Sequence, residues 1–163
     1  MNVKNVSRIA AALALVTVTA VSAQAQTATQ TVTFQVNAIN KIAFAGTPSL
    51  TITTAVAGSA PTSVTDATAS WAVTTNQTGA KITASIPVDM VSGLTLSSSL
   101  VAPAGATSGG YMALSSVSAD LVTGITKLAQ GTLGVTYKLD ATAAAGVVAS
   151  DTRIVTYTIT GGT

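Results

Sequence analysis

Hydrolytic and transfer chemistry starts from a nucleophile with a base beside it, and this chain is poor in both. It has no Cys and no His, and its five acidic residues are all Asp: Asp66, Asp89, Asp120, Asp140 and Asp151. A thiolate nucleophile, an imidazole acid–base group and the usual zinc ligand sets are therefore excluded. A serine nucleophile would need Lys as its base. The residues three before Lys41, Lys81, Lys127 and Lys138 are Ala38, Thr78, Gly124 and Val135, so no Ser-x-x-Lys pair exists. There is no Gly-x-Ser-x-Gly elbow. None of the Asp residues stands in an Asp-Ser/Thr-Gly context, and each falls beside a loop or a strand end, where Asp bonds nearby backbone. No acidic run spaces carboxylates as a calcium loop does, which leaves calcium only as a stabilising loop ion. Glycine-rich phosphate loops are absent too. No residue is nominated as catalytic, cofactor-binding or metal-ligating, no cofactor is expected, and the reading is of a protein that is not an enzyme.

The aromatic residues offer a second kind of chemistry, stacking on sugar rings. Trp71 alternates in phase with Val73, which predicts that it faces a core, as sandwiches often bury a central Trp. Tyr137 and Tyr157 are likewise in phase with apolar neighbours. Only Tyr111, beside the Gly-rich stretch 102–110, is left as a ligand platform, and polysaccharide is the ligand it would suit. Asn76-Gln77-Thr78 is a formal glycosylation sequon, of a kind that arises by chance in a Thr-rich chain.

Charge says more about destination than about partners. Lys4 and Arg8 precede an almost wholly apolar stretch, 9–21, which is followed by Ser22-Ala23-Gln24-Ala25. A charged start, a short apolar run and an Ala-x-Ala site form the pattern of a secretory signal peptide over 1–25, cleaved after Ala25. The run is shorter than the ~20 residues that span a bilayer. No later segment is long and apolar enough for a membrane helix. No Cys follows the cleavage site, so a lipid anchor there is excluded. The expected localisation is extracellular or cell-surface, with the periplasm as a station in transit. Beyond the leader, five cations (Lys41, Lys81, Lys127, Lys138, Arg153) balance the five Asp. Without a basic stripe, the counterion-release term that drives nucleic-acid binding is missing.

The elements that would carry any site follow from periodicity. Thr, Val and Ile dominate residues 26–163, and β-branched side chains favour strands. Alternation of period two recurs at 31–36 (Val32, Phe34, Val36), 49–56, 71–73, 82–86, 94–100, 133–139 and 155–159, with shorter runs at 41–44, 111–115 and 120–125. All four prolines fall between these runs, where a missing ladder donor is harmless. Asn76-Gln77-Thr78-Gly79 predicts a hairpin turn between the Trp71 and Ile82 strands. The small-residue stretches 57–69, 102–110 and 141–150 read as loops, with a short helix as the alternative for 141–149. The pattern predicts an all-β domain over 26–163. Its expected form is an antiparallel two-sheet sandwich, Ig-like with Greek-key links, of about nine or ten strands, each apolar on one face. A transmembrane barrel would need longer strands and aromatic girdles.

Two stretches resemble exported subunits of bacterial fimbriae. Thr33-Phe34-Gln35-Val36-Asn37-Ala38 is similar to the opening strand of spore-coat-U-type proteins. Ala145-Gly146, followed by Asp151-Thr152-Arg153-Ile154-Val155-Thr156-Tyr157-Thr158-Ile159-Thr160, resembles the closing strand of that group and of pilins. The chain departs from the family by having no Cys after its first strand. The resemblance implies an Ig-like subunit that polymerises by lending a strand to its neighbour. The candidate exchanged strand is 27–37, with Val32, Phe34 and Val36 on one side; the competing reading is an ordinary first strand paired within its own domain. The function expected is a secreted, non-catalytic structural or adhesive surface subunit whose partner is itself or another surface component. The alternative is an extracellular polysaccharide-binding module.

Overall fold

Alternating Thr and aliphatic residues become strands wherever a neighbour is present to pair with them. In the computed structural model, which describes residues 24–162, nine strands form. They are β1 (Asn40–Ala45), β2 (Val64–Thr75), β3 (Ala80–Ser85), β4 (Leu94–Leu100), β5 (Thr107–Ser108), β6 (Met112–Ala113), β7 (Ala119–Ile125), β8 (Leu128–Ala141) and β9 (Thr156–Thr160). The described chain falls into two units divided after Gln35. Residues 24–35 carry no strand, and every strand among the described residues lies in the unit from Val36. The expected leader, 1–25, lies outside the described residues except for Gln24 and Ala25.

The strands build two antiparallel sheets, ordered β1-β2-β8-β4-β6 and β5-β7-β3-β9, not closed into a barrel. This is the expected all-β sandwich. Its core is the set of inward residues on alternate positions, among them Trp71, Ile82, Leu100, Leu121, Ile125 and Val135, each at most 1% exposed. Burying each of these side chains contributes about 1.5–3 kcal/mol. Among the described residues no helix is long and apolar enough to cross a membrane.

Connections between sheets differ from expectation at one instructive place. The turn at 76–79 exists, but it is no hairpin: β2 lies in one sheet and β3 in the other. Trp71 and Ile82 are both fully buried, and a hairpin would have placed their strands side by side rather than across the core. After the β1–β2 pair, each connection in fact passes from one sheet to the other. The register places 39–40, 76–79, 126–127 and 161 at one end of the sandwich. The loop 86–93 and residues 114–118 and 142–146 lie at the other. These are termed the Asn76 end and the Asp89 end.

Three further expectations are corrected. Residues 64–69 belong to β2 rather than to a loop; a bulge between Asp66 and Ala69 breaks the alternation that would have revealed the strand. Thr107–Ser108, inside the stretch 102–110 read as a loop, form β5, whereas 142–150 is loop as read apart from the 3-10 turn Ala143–Ala145. The alternating runs 31–36 and 49–56 form no strands; in the latter only Ala55 makes an isolated bridge, to Pro61.

Candidate functional site

Along one side of the sandwich the sheets meet edge to edge, β1 closing one sheet and β9 the other. This seam has two unlike halves. Toward the Asn76 end it is shut. Phe44 stacks on Tyr157 with ring centroids 3.9 Å apart and planes at 13°, and Trp71 lies 6.0 Å from the Phe44 ring. The Tyr157 hydroxyl is 2.8 Å from that of Tyr137 and 3.0 Å from the fully buried Ser98 hydroxyl. Three hydroxyls thus satisfy one another and tie β4 and β8 to β9 across the core. Burial pushes the Tyr157 hydroxyl far above the ordinary phenol range. It raises Tyr137 as well, against the lowering effect of the bond to Tyr157.

Toward the Asp89 end the seam opens. Gly46, at φ +107°, ends β1; a Cβ there would lie 2.8 Å from the Ala69 Cα. Only glycine accommodates both that backbone and that approach. Past it the chain runs along the edge without entering a ladder, and residues 147–155 do the same ahead of β9. Leu50, Ile52 and Val155 still alternate half-buried with exposed neighbours. Between these two rails lies a groove of about 610 Å³ whose lining includes Met90, Leu94, Leu139 and Ala141. Leu94 and Leu139 are only half-buried at the ends of β4 and β8. Arg153 also lines the groove. Its Nη1 donates to Asp151 and to the Thr152 carbonyl, while its Nε is buried without a hydrogen-bond partner. The bond from Arg153 holds the Asp151 carboxyl below its usual range. Chemically the groove is an apolar slot flanked by two unladdered backbones, the arrangement that accepts an added strand.

Of the side chains singled out by sequence, Val32, Phe34 and Val36 are 72%, 89% and 77% exposed. Among the described residues, 24–39 carry no strand. Trp71 is a core residue, as expected. Tyr111 is exposed just ahead of β6, and the Lys138 Nζ stands 5.9 Å from its ring centroid. Lys138 in turn pairs with Asp140 at 2.9 Å, and the Ser63 hydroxyl donates to the same carboxylate. That bond and the Lys138 contact lower the Asp140 pKa, which makes this carboxylate a weak base for Ser63. One face of the Tyr111 platform is approached by a cation already neutralised by its neighbour. Among the described residues no three acidic, His or Cys side chains converge as a metal site would require.

The groove was invisible in sequence. Only parts of its rails, around Leu50 and Ile52 and around Arg153 and Val155, alternate as paired strands do, and alternation reports which face is buried, not whether a neighbour is hydrogen-bonded. No family model matches the chain, and no curated protein or solved structure matches it either.

Proposed function

We propose that this chain is an exported, non-catalytic structural subunit that assembles with copies of itself, residues 27–37 of one copy lying as a strand in the groove of the next. The observation that carries the reading is the match between an incomplete seam and an alternating segment of the same chain that forms no strand and exposes Val32, Phe34 and Val36. The rail 50–55 is roughly 17 Å long and Val32 to Val36 spans roughly 14 Å at ~3.4 Å per residue. Burying two Val and one Phe side chain would contribute about 1.5–3 kcal/mol each. Main-chain bonds to both rails would add affinity, and a backbone carbonyl of the incoming strand would satisfy the Arg153 Nε. The leader pattern over 1–25 supports export, and the likeness to spore-coat-U-type and pilin subunits points the same way. Near-zero net charge beyond the leader favours association over mutual repulsion.

Deleting 27–37 is the test. The expected result is a folded monomer that forms no polymer and takes up a synthetic 27–37 peptide. A deletion variant that polymerises as the full chain does would overturn the proposal.

A further inference from the structure

Beyond strand lending, and resting on it for the tether between copies, we infer that the two ends of the sandwich are mutually complementary docking surfaces for successive copies of this chain. The first observation concerns charge. Three ion pairs, Lys81–Asp120, Lys138–Asp140 and Arg153–Asp151, neutralise most of the charged residues beyond the leader. Lys41, Lys127, Asp66 and Asp89 remain outside any ion pair among the described residues. They are not scattered. Lys41 stands opposite Thr74 at the start of β1. Lys127 follows β7 with its N–H on the Gln77 carbonyl. Both are exposed and at the Asn76 end. Asp89 is exposed in the loop at the opposite end, taking the Ser116 N–H at 2.5 Å, and Asp66 lies near the start of β2, bonded to Ser49 and Thr68. A sandwich without net charge therefore carries a charge axis along its length.

Apolar surface follows the same axis. Val88 and Val117, 62% and 74% exposed, flank the Asp89–Ser116 bond. At the Asn76 end a shallow cleft of about 350 Å³ beside Lys127 includes Ile39, Leu128 and Ala129. Projecting valines next to an anion at one end thus face an apolar hollow next to a cation at the other.

The tether decides that these surfaces meet. Asn76 grips the backbone just ahead of β1: its Nδ2 donates to the Asn37 carbonyl at 2.8 Å, its Oδ1 accepts from the Ile39 N–H at 2.8 Å, and its N–H donates to the Ile39 carbonyl at 3.2 Å. Val36 is thus a single residue, about 3.4 Å of chain, from the Asn76 end. A neighbour's groove is shut on one side by Phe44 and Tyr157 and reaches Met90 and Val91 on the other. A strand seated there must enter from the Asp89 end, and its own Asn76 end arrives with it. Unlike surfaces in contact make a heterologous interface, which propagates rather than closes on itself.

The experiment combines Lys41→Glu with Lys127→Asp, Asp being chosen because residue 127 has φ +41° and Asp tolerates that region. Circular dichroism checks the fold. The double variant should polymerise about tenfold more slowly at low salt, the size expected when steering charges are reversed, and raising the salt should narrow the gap. Adding Asp89→Lys to the same chain should restore the rate. Uptake of the 27–37 peptide should be equal in all variants. Wild-type polymerisation rates in the double variant at every salt concentration would overturn end-to-end docking alone. Absence of peptide uptake by the wild-type chain would instead overturn the strand-lending reading, and the tether with it.

Discussion

The shut and open halves of the seam are made from similar sequence and end differently. Around Phe44 and Tyr157, alternating residues sit on strands with ladder partners and meet across the gap through rings and hydroxyls. Around Ile52 and Val155, alternating residues point inward in the same way, but their backbones have no ladder. The difference shows that amphipathic alternation specifies a buried face and leaves strand pairing to whatever neighbour is supplied.

The largest way to break this contrast is in the shut half. Trp71→Ala removes a fully buried indole next to Phe44 and should cost about 3–5 kcal/mol in denaturant unfolding. Tyr157→Phe is milder. It leaves the buried Ser98 and Tyr137 hydroxyls short of a partner and should cost about 1–3 kcal/mol. This variant also sharpens a pH effect. Burial raises the folded-state pKa of Tyr137 and Tyr157, so the native state holds protons that the unfolded chain releases. That stability is intact below the unfolded value of about 10 and is lost as pH climbs above it. Alkaline denaturation followed by phenolate absorbance should therefore be shallower in Tyr157→Phe than in wild type. The smallest effect on stability belongs to the open half. Ile52→Asp, at a half-buried rail position, should change folding stability by less than about 1 kcal/mol yet abolish polymer formation in sedimentation. If Ile52→Asp unfolds the chain instead, the rail is core and the two halves are not distinct.

Much of the fold was legible because Leu133, Val135, Tyr137 and Leu139, or Ile82 and Ala84, alternate without interruption and find partners. What was hidden had physical reasons. The first part of β2 is masked by its bulge and by small residues. The four residues at 76–79 suit a hairpin locally, but burial of both Trp71 and Ile82 sends the chain across the core. The proposed site was half legible: Val32, Phe34 and Val36 stand out by their alternation in the segment we propose is lent. The groove that would receive them is assembled from the 50–55 and 147–155 rails and the ends of β4 and β8, far apart in sequence, and no local pattern reports it.

The repeated passage of the chain between sheets bears on how the molecule is made. Neither sheet can be completed from a contiguous stretch, so no autonomous half exists to nucleate first. Nearly all native pairings join distant residues, and loop closure is met before those contacts repay it. The polypeptide should acquire its structure cooperatively and slowly, in the millisecond-to-second range of other sheet-rich domains.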